Sequence, residues 1–373
     1  MKKVLAIIVA LVMLSVLLVS CGQDDPAPAA EGGAAAADGV YTGLRGTPDQ
    51  TYYMLPFLAG VDYWFPCFAG FKQAGNNLGV RTYFVGTTDV DPNTHVELFE
   101  QILARNPSGI FVPPITPESM VDPINRAVAQ GVAVATWSSH SPESDYQAWV
   151  SSDNHSEGVG AARAMAEHLG GSGKVMVTTT TLTAHINRAN AFVETIENEF
   201  PNIEVVAHEM TNLDENIAYA AVLTVAQMHP DLGGVFTPEA QSGLGAANAA
   251  MELGGNIAVA TVDLNEQVLD MIASGDILFA LNPDQGTQGY WGMMILFHLY
   301  NDHLMEPMND RRARGVNPLY IPLFDNSFNI VNAENVEWFH IDAYIERLGY
   351  SSLDELLSPG TGVPTHWDWR AGR

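Results

Sequence analysis

Seven places in this 373-residue chain carry side chains able to bind or react: Asp62-Tyr63-Trp64, Ser138-Ser139, Asp153-Asn154, Arg188, Glu239, Asp263 and Asn282. Each lies just beyond a short apolar run or close to the helical segment that follows it. Carboxylates accept hydrogen bonds, hydroxyls and amides both give and accept them, and a guanidinium presents a rigid planar fork of donors. Taken singly such residues are ordinary helix caps and turn formers. Their recurrence in register with the ends of the runs is what points to a shared site. No Gly-x-Ser-x-Gly elbow, His-Glu-x-x-His pair or phosphate loop closed by Lys-Ser/Thr accompanies them, so binding without catalysis or cofactor is expected.

Two metal-like and nucleotide-like patterns have plainer explanations. Asp89, Asp91, Asn93 and Glu100 reproduce part of a calcium-loop spacing, but Pro92 and a missing central glycine argue for a loop entering a helix. The Gly-x-Gly of "GVGAARA" follows Asp153-Asn154 rather than a dinucleotide-binding strand, and close helix packing accounts for it. No metal is expected.

The elements that must position these residues alternate regularly. From Thr51 onward, runs such as "TYYMLPF", "RTYFVG", "GIFVPP", "VAVATW", "YQAWV", "KVMVTTT", "IEVVAHE", "GGVFTP", "IAVATVD" and "ILFALN" are separated by segments of helical period. That alternation is the mark of parallel βαβ units. It predicts an α/β protein of two doubly wound parallel-sheet domains, whose ligands sit beyond the carboxyl ends of the strands. The length suits two domains.

Composition limits the partners. Asp plus Glu outnumber Lys plus Arg by 43 to 16, a formal charge of −27, which repels phosphate backbones and argues against nucleic acid. Lys2 and Lys3 precede an uncharged apolar stretch over 4–19, shorter than the roughly 20 residues of a spanning helix and arranged like an export leader. Residues 1–20 are accordingly expected to be a signal peptide, and the Ala/Gly/Pro-rich stretch after Cys21, within 21–50, a flexible tether. Cys67 is the single cysteine beyond Cys21, so no internal disulfide is expected.

The order of several segments resembles the type I periplasmic sugar-binding proteins, the ribose- and galactose-binding group that serves ABC importers. "GIFVPPITPESMVDPINRAVAQGVAVATW" resembles the family's strand, proline turn, helix and strand. "AWVSSDNHSEGVGAARAMAEHL" resembles the opening of its second domain, and "NRANAF" its Arg with Phe four residues on. "VFTPEAQSGLGAANA", "ATVDLNEQVLDMIASGDILFALNPDQGTQGYWG" and "NSFNIVNAENVEWF" follow in the family's order. Leu18-Val19-Ser20-Cys21 looks like a lipobox, which implies lipidation of Cys21 and attachment to the bacterial membrane, in the periplasm or on the cell surface.

The resemblance implies a hinge of three crossovers, near 138–152, 282–284 and 324–328, joining an N-terminal lobe (51–150 and 283–326) to a C-terminal lobe (151–282 and 327–373). It implies a monomer that captures a small polar ligand, a monosaccharide first of all, and passes it to an ABC permease and its ATPase. A sensing subunit for a chemoreceptor or kinase would use the same fold. Tyr63 and Trp64 take the place of the family's stacking aromatics, with Phe65 turned into helix packing. Asp153, Arg188 and Asp263 take the places of its polar ligand contacts. Asn154, Glu239, Asn282, Asp62, Ser138 and Ser139 complete the expected set, Asn154 standing also as a helix cap. Ser138 replaces a common Asp and Leu213 the usual second-domain ring, which argues against plain ribose or glucose; His140 reads as a solvated loop histidine.

Overall fold

A computed structural model describes residues 44–301 and 321–360. The leader, the tether and Cys21 lie outside them. Among the described residues, no helix is long and apolar enough to cross a membrane.

The first lobe is a six-stranded parallel sheet. Its strands are β1 (Thr51–Met54), β2 (Arg81–Phe84), β3 (Gly109–Val112), β4 (Ala133–Trp137), β5 (Ala148–Ser151) and, late in the chain, β11 (Ile321–Asp325). They lie in the order β11-β5-β4-β3-β1-β2. The second lobe holds β6 (Gly173–Thr179), β7 (Ile203–Met210), β8 (Leu232–Phe236), β9 (Ala258–Val262), β10 (Phe279–Asn282) and β12 (Asn329–Val331), ordered β12-β10-β9-β8-β6-β7. β12 is antiparallel to β10 and forms one edge. The ten runs singled out in the sequence all form strands, and the two late edge strands join them.

Central strands such as β3 and β4 are buried along their whole length, as sheets covered on both faces require. In each sheet the order reverses beside the first strand of the lobe, β1 or β6, and crevices for ligands open at such switch points.

Helices cover the sheets. In the first lobe they are α1 (Trp64–Leu78), α2 (Pro92–Leu103), α3 (Val121–Ala129) and the late α9 (Gln285–Tyr300). In the second they are α4 (Asn154–His168), α5 (Thr183–Glu199), α6 (Glu215–Met228), α7 (Ala240–Glu252) and α8 (Glu266–Ser274). α1 and α9 approach so closely that a Cβ at Gly289 would stand 1.8 Å from the Cys67 carbonyl oxygen. Cys67 itself is fully buried and its thiol is held well above the ordinary range by burial, which makes it inert.

The chain passes between lobes after β5, after β10 and between β11 and β12, near the expected crossovers. A fourth passage was not expected. Residues 327–373 were assigned to the second lobe, yet α10 (Ile341–Arg347) and α11 (Leu353–Leu357) pack on α1 of the first. Leu348 and Leu356 bury against Ala69, and Lys72 Nζ donates to the carbonyls of Glu355 (2.7 Å) and Leu356 (3.0 Å). Gly360 N donates to Thr82 O at the edge strand. At its start this strap is tied to the second lobe, where Glu266 accepts from Ile341 N and meets His340 Nδ1 at 2.6 Å. Residues 340–360 therefore bridge the two lobes.

Candidate functional site

Tyr63, Ser138, Arg188 and Asp263, from both lobes, come close to one another. α1 begins at Trp64 rather than at Pro66; proline costs little in a first turn, where its missing N–H has no helical partner. Tyr63 thereby becomes the cap residue, half-buried, with its hydroxyl 3.3 Å from Ser138 Oγ at the end of β4. Burial, with the Asp263 carboxylate nearby, pushes the Tyr63 hydroxyl far above its usual range, while Ser138 and the Arg188 guanidinium oppose that shift. The tyrosine of one lobe thus sits within the field of a charged pair on the other.

Arg188, on α5, is 6% exposed. Its Nε donates to Glu157 Oε2 at 2.5 Å, its Nη1 donates to the Pro238 carbonyl at 3.1 Å, and Nη1 lies 3.9 Å from Asp263 Oδ2. Asp263 follows β9 in the left-handed region, at φ +68°, a conformation that costs a non-glycine residue on the order of 1–3 kcal/mol and gathers at functional sites. Its Oδ1 is buried and unpaired, and burial raises the carboxyl to about 6 against the lowering influence of Arg188. Ser138 (φ +56°) shares the left-handed geometry, as do Asp284 and Ser327 within two of the passages between lobes.

Three of the expected contacts already have partners within their own lobes. Asp153 caps α4, its Oδ1 accepting from His155 N and its Oδ2 from Ser156 Oγ. The capping role considered for Asn154 therefore belongs to its neighbour, and Asn154 is the first helical residue. Both Glu239 oxygens accept backbone N–H groups of Gln241 and Ser242 at the start of α7. Ser139 Oγ donates to the Pro114 carbonyl at 2.6 Å.

Trp64 also departs from expectation. It is 4% exposed and belongs to the first lobe's core, meeting Tyr63, Phe57 and Trp137 edge to face. Its Nε1 has no hydrogen-bond partner. Phe65 turns into packing against Phe84, as expected. His140 is half-buried and stacked on Trp149 at 4.0 Å rather than solvated, and Leu213 is exposed.

A small, solvent-open pocket continues from Tyr63, walled by Asp62, Asn282 and Gln285 together with Glu266 and the strap residues Ile341 and Tyr344. Asn282 is buried at the end of β10, and its Oδ1 accepts from Asp284 N. The Asp62 carboxyl is raised by burial and by the facing Glu266.

Glu157 was missed in the sequence. Fully buried, it reads as a common first-turn acidic residue until α5 is laid against its helix. His185 was missed as well; its Nδ1 pairs with Thr180 Oγ1 at 2.9 Å, and burial with the nearby Arg188 charge lowers its ring to about 3. Among the described residues no cluster of His, Cys, Asp and Glu is arranged to hold a metal. Asp91 caps α2, and Glu100 pairs with Arg126.

This geometry has close counterparts. The profile of the family described as "Periplasmic binding protein domain" matches residues 52–302. The arabinose-binding protein AraP of Geobacillus stearothermophilus is 34% identical, with a TM-score of 0.73 over 79% of this chain and 100% of that one. A sugar ABC transporter sugar-binding protein from Bacillus halodurans is 33% identical, with a TM-score of 0.74 over 78% and 100%. Among curated proteins, the xylose/arabinose-binding protein XylF of Sulfolobus acidocaldarius is 24% identical over 285 residues, 70% of each chain. All three are named as sugar-binding proteins, one of them of an ABC transporter. With a family profile spanning well over half of the sequence and likeness over 78% and 79% of it at one-third identity, the chain belongs to the periplasmic binding protein family, among its type I sugar-binding members.

Proposed function

We propose that the protein is an extracytoplasmic lipoprotein that closes its two lobes on a monosaccharide and delivers it to an ABC importer. The observation that carries this reading is the interlobe group of Tyr63, Ser138, Arg188 and Asp263. It brings a phenol, a hydroxyl, a guanidinium edge and an unpaired carboxylate oxygen close together. A sugar's rim of hydroxyls suits those partners, each hydrogen bond to a charged group contributing about 1.5–3 kcal/mol. Asn282 and Asp62 extend the polar lining on the strap side. Trp64 acts as the rigid backing of the Tyr63 ring, and Asp153, Ser139 and Glu239 hold the strand-end loops in place.

An aldopentose is the first ligand to try, since relatives are named for arabinose and for xylose with arabinose. The test is a thermal-shift and calorimetric panel of arabinose, xylose, ribose, allose and xylitol. A ligand held at 100 times its Kd adds about 2.7 kcal/mol of stability. Silence across the panel and across the common hexoses would overturn the sugar assignment.

The anchor is tested separately. Cys21→Ser in the full-length chain should move the protein from the membrane fraction to the soluble extracytoplasmic fraction. Two acyl chains, at about 0.8 kcal/mol per buried methylene, give stable attachment where one does not.

A further inference from the structure

Arg188 has five N–H donors, and its surroundings determine which of them face the cleft. Nε is taken by Glu157 Oε2, and Nη1 by the Pro238 carbonyl. The second oxygen of Glu157 accepts from Ser152 Oγ at 2.5 Å, so the carboxylate is itself held at both ends. Close helix packing fixes the pair: a Cβ at the adjacent Gly158 would stand 2.2 Å from the Arg188 carbonyl oxygen.

Charge completes the argument. One buried carboxylate already neutralises the guanidinium, and the second, on Asp263, stands off at 3.9 Å with Oδ1 unpaired. Had Glu157 been neutral, the strongest arrangement open to Arg188 would be a bidentate pair with Asp263, because planar guanidinium and carboxylate match edge to edge. That pair would consume the groups that face the ligand.

We infer that Glu157 is the positioning residue of the binding site: by taking Nε and the charge of Arg188, it keeps the guanidinium from closing on Asp263 and leaves both free for ligand hydroxyls. The inference rests on Arg188 and Asp263 being ligand contacts.

The test uses Glu157→Gln, which keeps the shape and removes the charge, with whichever panel sugar stabilises the parent protein. Affinity should fall about tenfold to a hundredfold, the range of one hydrogen bond to a charged group. The acid limb of binding should also shift. Asp263 is faced by Arg188, Glu157, Glu239 and Tyr63; Glu157 raises its carboxyl and Arg188 lowers it. Losing the Glu157 charge and gaining a closer Arg188 act in the same direction, moving the limb to lower pH, whereas loosened packing alone gives no such displacement.

In an Arg188→Gln background, Glu157→Gln should weaken binding no further. Unchanged affinity in a folded Glu157→Gln protein, or an equal loss in both backgrounds, would overturn the positioning role. Should Arg188→Gln alone bind like the parent, the failure lies instead in the site assignment on which the inference rests. If Glu157→Gln does not fold, Ser152→Ala serves in its place. Freeing one Glu157 oxygen should loosen the hold on the guanidinium and weaken binding severalfold, and parental affinity in that variant would overturn the inference.

Discussion

Arg188 Nη1 lies 3.9 Å from Asp263 Oδ2, close enough for attraction and too far for a hydrogen bond. The two residues come from different elements of the second lobe and face Tyr63 of the first. An unclosed ion pair beside a phenol has donors and acceptors to spare. A hydroxylated guest can bridge them when the lobes meet, and the bridging favours the closed state in proportion to its preference for it.

Binding should depend on pH through Asp263. Its carboxyl is raised to about 6, mainly by burial, from an unfolded value of about 3.9. Between those values the folded chain binds the extra proton, so this group adds stability to the fold as pH falls. Ligand affinity runs the opposite way, because the ionised form is the acceptor. Calorimetry should show a plateau above about pH 7 and a decline approaching tenfold per pH unit well below 6. A flat profile would remove Asp263 from the site.

His185 should oppose Asp263 in the acid stability of the unliganded protein. Its ring is held at about 3, against about 6.5 when unfolded, so stability is lost as pH falls from 6.5 toward 3. At 1.36 kcal/mol per unit the loss is on the order of 5 kcal/mol at its limit. His185→Gln should flatten denaturant midpoints between pH 6.5 and 4; midpoints that fall as steeply as in the parent would contradict this.

The two adjacent rings should separate in mutagenesis. Tyr63→Phe removes the hydroxyl facing Ser138 and the cleft, and should weaken sugar binding about tenfold while changing apo stability by no more than about 1.5 kcal/mol. Trp64→Ala empties part of the first lobe's core and should cost about 3–5 kcal/mol of stability. Melting and titration of both variants check this; a Trp64→Ala protein as stable as the parent would place the indole outside the core.

The strap should depend on Lys72. This residue is buried, donates to three oxygens over 355–358 and lies 4.5 Å from the Tyr350 ring centroid. Lys72→Met leaves those acceptors without their donor and should cost about 1–3 kcal/mol. Limited proteolysis should then cut within 341–360 faster than in the parent; equal cleavage rates would show that the apolar contacts of Leu348 and Leu356 suffice.

Much of this protein was written locally. Short apolar runs ending in polar residues, separated by helical segments, pointed to two doubly wound, mainly parallel sheets and put Tyr63, Asp263 and Asn282 near strand ends and Arg188 in the helix after one. Those signals survive folding because strand and helix periods are properties of consecutive residues. Assembly decided the remainder. Asp153 and Glu239 became caps because the entry of each helix turned their carboxylates onto backbone N–H groups. Trp64 joined the core because α1 starts earlier and presents it to Trp137. Glu157 is buried against Arg188, 31 residues away, only because two helices meet at Gly158, and the strap returned to the first lobe because Ala69 and Lys72 receive it. The caps are contacts two and three residues along the chain, whereas the burial of Trp64 and Glu157 and the course of the strap depend on residues distant in sequence, which no local pattern encodes.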